Sequence, residues 1–174
     1  LLLDALDRGT GVEYATMTSI HAYTSDQPLQ DYAQGDQRRS RSAAQNIIPN
    51  ANASAACVEQ LLPRFAGRLS GCALNVPVQR GSLLDLNCVL RNVVDAEAVN
   101  ELMRAAAAAR PQLIAVAEDP IVSSDVIGCR QTLLFDAKGT QRAGSRMVKT
   151  LAWYETLGHA CRVLDVVRTY AALA

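Results

Sequence analysis

The order of the predicted strands and helices constrains the fold of this 174-residue chain more than any other feature. Segments rich in β-branched and aromatic residues predict strands at 12–22, 69–76, 82–90, 113–117, 131–135 and 147–154. Apolar residues at helical spacing predict the end of one helix at 1–9 and further helices at 57–65, 95–109 and 158–173. Because strands and helices do not alternate strictly, this order favours an α+β fold, with a mostly antiparallel mixed sheet and helices packed on one face.

Local signals indicate where several of these elements begin and end. Asp95 is a favourable N-cap for the third helix, Asn52 or Ser54 for the second, and Gly9 is a favourable end for the first. One face of the third helix carries Val99, Leu102 and Met103. The last helix presents one apolar stripe, formed by Val163, Val167, Tyr170 and Ala171. The turn-forming residues 136–139 are expected to separate the last two strands.

A long polar segment, residues 23–49, follows the first predicted strand. Loops of this length inside a compact domain are usually functional or lie at an interface. The segment contains Arg38, Arg39 and Arg41, and such a cluster is expected to form a solvated face or salt bridges between subunits.

Composition narrows the functional classes. The 17 basic and 17 acidic residues cancel, so the chain lacks the positive charge that general nucleic-acid binding requires. No apolar run is long enough to cross a membrane, and neither a nucleic acid nor a membrane is expected as a partner. No G-x-G-x-x-G motif follows a predicted strand, so we expect no dinucleotide-binding fold within this chain.

The five cysteines are widely spaced, and only two histidines, His21 and His159, accompany them. This pattern predicts no metal site. We expect most of the cysteines to be small buried hydrophobes in a reducing, cytoplasmic compartment, with Cys72 and Cys88 in the core. The chain starts without an initiator methionine or a signal pattern, and we expect it to begin inside a helix of a longer protein.

Several segments together resemble the C-terminal domain of the glyceraldehyde-3-phosphate dehydrogenase family. The most specific is the run His21-Ala22-Tyr23-Thr24-Ser25-Asp26-Gln27, which is similar to the junction between a strand and the family's S-loop. Further similarity follows in one collinear order, at residues 38–49, 76–77, 82–86, 118–125, 135–137, 149–154 and 162–165. The likeness covers almost the whole chain, so chance is a poor explanation for it.

The resemblance implies that residues 1–174 form the catalytic, substrate-binding domain of a phosphorylating aldehyde dehydrogenase. An NAD-binding domain and the nucleophilic cysteine would precede this chain, and the full-length enzyme would be a cytoplasmic tetramer of glucose metabolism. In the family's reaction a cysteine thiolate attacks the aldehyde, hydride passes to NAD, and inorganic phosphate cleaves the thioester. The thiolate needs a base whose pKa is close to neutrality, and an imidazole supplies one. By this resemblance His21 is the catalytic base.

The sequence departs from the family at the positions that the resemblance assigns to phosphate. Thr24 matches a substrate-phosphate contact, but Asn75 stands where the family has an arginine. An amide offers neither the charge nor the two-pronged donor geometry of a guanidinium. Asn52 and Ala53 align with a Thr-Gly pair that binds inorganic phosphate, and Ala53 would be strained if it had to adopt a positive φ.

The nicotinamide contacts differ as well. Thr156 aligns with an asparagine that fixes the nicotinamide amide in the family, and His159 aligns with a neighbouring tyrosine. Threonine has one hydroxyl where the amide has both a donor and an acceptor. His159 is interpreted more simply as a residue that caps or decorates the last helix.

Three accounts of these departures stay open at the level of sequence. The protein is a diverged dehydrogenase that acts on a different or an unphosphorylated aldehyde, with erythrose-4-phosphate dehydrogenase as a close relative. Alternatively, it is a catalytically impaired paralogue that serves as a binding or assembly domain. In the third account Arg80, or an arginine of the S-loop, supplies the missing charge from a shifted position.

Overall fold

The computed structural model describes residues 1–173 as four α-helices and one seven-stranded sheet. The helices are α1 (Leu2–Thr10), α2 (Ser54–Leu61), α3 (Ala96–Ala109) and α4 (Thr156–Ala171). The strands are β1 (Val12–Ala22), β2 (Ile48–Ala51), β3 (Leu69–Val76), β4 (Ser82–Leu90), β5 (Ile114–Ala117), β6 (Leu133–Ala143) and β7 (Met147–Tyr154). Short 3-10 helices lie at Pro63–Phe65 and Ser123–Val126.

The sheet is mixed and mostly antiparallel. Its strand order is β2-β3-β1-β4-β7-β6-β5. Within the described residues β1 pairs in parallel with β3, β5 pairs in parallel with β6, and the other neighbouring strands are antiparallel. This topology confirms the predicted α+β fold. The irregular segment after β1 ends at residue 47, two residues earlier than predicted, because Ile48–Ala51 forms the unpredicted strand β2.

The core lies between the sheet and the helices α1 and α3. Leu6 of α1, with Val99 and Met103 of α3, is fully buried against the apolar side chains of β1, β4, β6 and β7. The side chain of Asp95 accepts a hydrogen bond from Ala98 N at 2.7 Å, which confirms the predicted cap of α3. Burial of these apolar residues is the main source of stability for the fold.

The predicted turn at 136–139 is wrong, because these residues form a bulge inside β6. The pairing with β7 passes from Asp136↔Leu151 to Gln141↔Lys149, so extra residues on β6 bulge out of register. One carboxylate oxygen of Asp136 accepts hydrogen bonds from Lys138 N and Gly139 N, both at 3.0 Å. The chain therefore turns locally without reversing its direction, and the true turn follows at 144–146.

Helix α2 begins and ends earlier than predicted. Its first residue is Ser54, whose backbone N–H donates to the Asn52 side chain at 2.8 Å. The α-helix stops at Leu61 because Pro63 has no N–H to donate, and the chain continues as a 3-10 turn to Phe65. The predicted segment 57–65 is therefore two elements.

The other boundary differences are small. Helix α1 runs one residue beyond Gly9, to Thr10, and is followed by the C-cap Gly11, which has a φ of 68°. Strands β5 and β6 begin one and two residues later than predicted. Helix α4 begins at Thr156, because the Glu155 side chain caps it by accepting from Leu157 N at 2.7 Å.

Helix α4 lies away from the core. Gly158 is its one buried residue in the described part of the helix. The predicted apolar stripe is present but faces solvent, since Val163, Val167 and Tyr170 are 51%, 57% and 71% exposed. Residues 1–173 provide no apolar surface that covers this stripe.

The prediction that most cysteines are buried is also wrong. Cys88 is buried in the core, but Cys57 and Cys72 are exposed, and all five cysteines are free. Cys72 lies on the outer face of β3, where its sulfur is 3.7 Å from the Thr18 hydroxyl. In the part of the chain that the structure describes, no helix is long and apolar enough to cross a membrane. The same residues contain no cluster of three or more metal-ligating side chains.

Candidate functional site

The C-terminal end of β1 brings the candidate residues together. His21 is the second-last residue of the strand, and Thr24 follows at the start of the long loop. The parallel register between β1 and β3 places His21 opposite Asn75. Tyr23 N donates to Val78 O at 3.2 Å, which holds the start of the loop against the turn between β3 and β4.

Two cavities open at this edge of the sheet, and His21, Thr24 and Tyr154 line both of them. The larger cavity, about 840 Å³, is further lined by Arg80, Ser82, Thr132, Glu155, Thr156 and His159. The smaller cavity, about 480 Å³, is further lined by Asp26, Arg39, Asn50, Asn52, Ala53 and Asn75. Every site residue named from the sequence therefore lines one cavity or both.

His21 is half-buried and fixed at one of its ring nitrogens. Nδ1 is 2.5 Å from the carbonyl oxygen of Ala22, which can only accept a hydrogen bond. This contact requires a proton on Nδ1, so Nε2 of the neutral ring keeps its lone pair for a proton from another group. The ring of Tyr154 lies edge-on to the imidazole, with ring centroids 6.1 Å apart and an interplanar angle of 64°.

The charges of the smaller cavity are paired with each other. Asp26 accepts hydrogen bonds from the Thr24 hydroxyl and from the guanidinium of Arg39. The Thr24 hydroxyl, supported by Arg39, holds the pKa of Asp26 below its usual range. These contacts occupy the hydroxyl that was expected to contact phosphate, and they neutralise Arg39, the one arginine among the described residues that line this cavity.

The amide of Asn75 is also occupied. Its oxygen accepts a hydrogen bond from the side chain of Asn50, and its nitrogen donates to Ala22 O at 3.4 Å. Asn75 is buried, with 9% of its surface exposed. This residue forms part of the wall between strands β1, β2 and β3, and one of its two amide N–H groups is used within that wall.

The turn from β2 into α2 forms the far side of the smaller cavity. Ala53 has a φ of −75°, in the right-handed helical region, so the strain considered for a positive φ does not arise. The Asn52 side chain accepts from Ser54 N, which leaves its NH₂ group as a donor toward the cavity.

Tyr154 and Ser19 belong to the site but were not predicted from the sequence. The Tyr154 hydroxyl is 2.5 Å from the Ser19 hydroxyl, which ties β7 to β1 behind His21. No motif marks these residues, because β1 and β7 lie on either side of β4 and come close together only in the folded sheet. Arg39 is visible in the sequence as one of three loop arginines, and it forms an ion pair with Asp26 of the same chain.

The arrangement combines a proton-accepting imidazole with a wide polar cavity at the end of a strand. The larger cavity offers hydroxyl, imidazole and guanidinium groups to a polar ligand, and His21 lies in its wall. Fold and cavity together describe an α+β domain with a polar cavity, lined by His21, at one edge of its mixed sheet.

Comparison with known proteins gives the family. The sequence profile described as "Glyceraldehyde 3-phosphate dehydrogenase, C-terminal domain" matches residues 1–156. The chain is 40% identical to glyceraldehyde-3-phosphate dehydrogenase of Clostridium acetobutylicum over 170 residues, which are 94% of this chain and 50% of that protein. It is 39% identical to the enzyme of Kitasatospora aureofaciens over 98% of this chain and 52% of the relative. It is 38% identical to glyceraldehyde-3-phosphate dehydrogenase 2 of Bacillus subtilis, over 98% of this chain and 51% of that protein.

This chain belongs to the glyceraldehyde-3-phosphate dehydrogenase family and corresponds to its C-terminal domain. It spans about half the length of the curated relatives that it matches. The recognition made from the motif around His21 is thereby confirmed, and the family is one of oxidoreductases.

Proposed function

We propose that this chain is the catalytic, substrate-binding domain of an NAD-dependent phosphorylating aldehyde dehydrogenase of the glyceraldehyde-3-phosphate type. The position of His21 carries the proposal, because Nε2 of its ring is free to accept a proton in the wall of a cavity of about 840 Å³. In this proposal a nucleotide-binding domain and the nucleophilic cysteine come from the rest of a longer protein. The half coverage of its relatives supports this division.

His21 would act on two protons in turn. A cysteine thiol at the cavity transfers its proton to Nε2, and the imidazolium stabilises the thiolate. When the thiolate adds to the aldehyde carbon, a C–S bond forms and the negative charge moves to the aldehyde oxygen. The imidazolium donates its proton to that oxygen and takes it back when hydride leaves the carbon. Such proton transfers contribute about 10²- to 10⁴-fold to a reaction rate.

The larger cavity fits the nicotinamide end of the cofactor. Thr156 offers a hydroxyl, and Thr132 has a buried hydroxyl without a hydrogen-bond partner among residues 1–173. Both could bond to a carboxamide, which carries a donor and an acceptor. NAD, when bound, supplies the acceptor for the hydride. The Thr156 hydroxyl holds the ring with fewer bonds than an amide would, so we propose a weakened cofactor contact at this position.

We propose that full-length protein forms a homo-oligomer, a tetramer by analogy with the family, in the cytoplasm. The loop at 23–47 supports the proposal of an interface between subunits, because its apolar side chains Leu29, Tyr32 and Ile47 are 63%, 69% and 64% exposed. The five free cysteines fit a reducing compartment.

An interaction domain without activity is the second candidate. The exposed apolar stripe of α4 favours it, since such surfaces mark binding sites in folded proteins. An active enzyme and an inactive assembly domain differ in one respect that can be measured, which is whether His21 controls hydride transfer.

The test is NAD reduction by the full-length protein with glyceraldehyde 3-phosphate and inorganic phosphate, with erythrose 4-phosphate as the alternative substrate. His21→Ala is expected to lower kcat/KM about 10²-fold or more, because the base is removed. The matched control is His159→Ala, which removes the other histidine of the same cavity and should raise KM more than it lowers kcat. Equal rates for His21→Ala and the wild type, or no reduction by the wild type, would overturn the proposal.

A further inference from the structure

We infer that the phosphate group of the substrate is bound by Arg80 in the larger cavity, and not at Asn75 in the smaller one. This inference rests on the proposed function, because it assumes that the substrate carries a phosphate. The ligand of the site is defined by its chemistry as a phosphate monoester, which has two negative charges and needs several strong donors.

Among the described residues, the smaller cavity has no unpaired cationic side chain for such a ligand. Its arginine, Arg39, is paired with Asp26, and the Thr24 hydroxyl donates to the same carboxylate. The Asn75 amide is bonded at both of its ends. A dianion placed here would have to break the ion pair and would then lie beside the released Asp26 carboxylate.

Arg80, unlike Arg39, is not paired with a carboxylate among residues 1–173. It lines the larger cavity together with His21 and Thr24, and it forms no ion pair or side-chain hydrogen bond with any residue in the range 1–173. A guanidinium with all five donors free can bind a phosphate through two parallel hydrogen bonds. The aldehyde at His21 and the phosphate at Arg80 would occupy one continuous cavity.

The turn that carries Arg80 is fixed in position. Val78 N donates to Val76 O at 2.7 Å, and Val78 O accepts from Tyr23 N at 3.2 Å. Gly81 has a φ of 76°, and a Cβ atom at this position would lie 2.2 Å from the carbonyl oxygen of Ser123. The turn is thus clamped between the start of the long loop and the 3-10 helix at 123–126, which limits the movement of the Arg80 backbone.

The neighbouring groups favour an anion as well. His159 adds a second imidazole to the cavity wall. Among residues 1–173, Glu155 is the one carboxylate in the lining, and its side chain already accepts from Leu157 N at the start of α4. The larger cavity therefore offers more free donors to a phosphate than the smaller cavity does.

The test is an NMR titration of the 174-residue chain with glycerol 3-phosphate, which has the phosphate ester but no aldehyde. Arg80→Gln is expected to raise the dissociation constant about tenfold or more, as loss of charge-assisted hydrogen bonds requires. Arg80→Lys keeps the charge and should recover part of the affinity. The matched variant Arg39→Gln, in the smaller cavity, should change it less than about twofold. Asn75→Arg should likewise leave it nearly unchanged.

Other results would overturn the inference. These are an equal or larger loss in Arg39→Gln, much tighter binding in Asn75→Arg, or no saturable binding to a chain whose spectrum is folded. The activity assay with His21→Ala separates the two proposals. Binding that depends on Arg80, in a protein that reduces no NAD, would remove the proposed reaction and leave the anion site. If NAD reduction depends on His21 but the affinity for glycerol 3-phosphate does not change in Arg80→Gln, this inference alone is wrong.

Discussion

Asp136 connects strands β6 and β7 through its side chain, and its substitution tests how much this connection stabilises the sheet. It is buried in the bulge of β6, with 6% of its surface exposed. One carboxylate oxygen accepts from Lys138 N and Gly139 N at 3.0 Å, and the other accepts from the indole N–H of Trp153 at 3.0 Å. The side chain therefore fixes the shape of the bulge and joins β6 to β7, next to the cavity residue Tyr154.

The expected loss in Asp136→Ala follows from the donors that it leaves unpaired. The Lys138 amide lies beside an exposed residue, where water can replace the carboxylate, whereas the Gly139 amide and the Trp153 indole are less accessible. Each hydrogen bond to a charged group contributes about 1.5–3 kcal/mol. We therefore expect the free energy of unfolding to fall by about 3 kcal/mol, with Tm lower by about 6–12 °C for a domain of this size.

The assay is urea denaturation of the purified chain, followed by circular dichroism. Asp136→Asn keeps the oxygen that bonds the two amides and loses the bond to Trp153, so it should cost about half as much. Trp153→Phe should show a coupling of about 1 kcal/mol with Asp136→Asn in a double-mutant cycle. If Asp136→Ala unfolds within about 0.5 kcal/mol of the wild type, the bulge does not depend on this carboxylate.

Three further perturbations have definite expected results. Gly81→Ala should destabilise the chain more than Gly67→Ala in urea denaturation. Both glycines have a positive φ (76° and 70°), but only at Gly81 would the added Cβ meet a backbone oxygen. Equal losses would contradict this. Burial raises the pKa of the Cys88 thiol to about 12, so iodoacetamide at about pH 8 should alkylate the exposed Cys57 long before Cys88 in a mass-spectrometric time course, and early labelling of Cys88 would contradict its burial. Burial alone would raise the pKa of Asp4 and Asp7 in α1, but hydrogen bonds from Arg64 help to hold the pKa of both carboxyl groups below the ordinary value of 3.8. Their ionised forms stabilise the folded state above pH 3.8, and this stability is lost as the pH falls through their lowered pKa. Arg64→Gln should therefore move the midpoint of acid unfolding to higher pH, and an unchanged midpoint would contradict this.

The sequence predicts the sheet well where strands alternate or carry strong β-formers. The bounds of β1, β3, β4 and β7 agree with the predicted segments. The cap at Asp95 gives the start of α3 for the same kind of reason, since an N-cap acts on neighbours three residues away. These signals are local, and local contacts are enough to produce them.

The bulge at 136–139 shows where local signals fail. The residues Asp136-Ala137-Lys138-Gly139 have the composition of a hairpin turn, and the Asp136 carboxylate does bond the next amides as in a turn. The indole of Trp153 holds the other carboxylate oxygen from across the sheet. That contact depends on the pairing of two strands, which no window of the sequence contains.

The candidate site divides in the same way. His21 and Thr24 are recognised because a short motif carries them, and both line the cavities. The state of the phosphate contacts is not visible in the sequence. The ion pair of Arg39 with Asp26 and the bond between Asn50 and Asn75 join residues that are 13 and 25 positions apart.

The central claim is that His21 activates a cysteine thiol at the larger cavity, and the reactivity of that thiol tests it most directly. In the full-length protein, the rate of inactivation by iodoacetamide at mildly acidic pH reports the thiolate. We predict that His21→Asn slows this reaction about tenfold or more, because the imidazolium no longer stabilises the thiolate. A variant whose thiol reacts as fast as that of the wild type would show that His21 has no contact with the nucleophile.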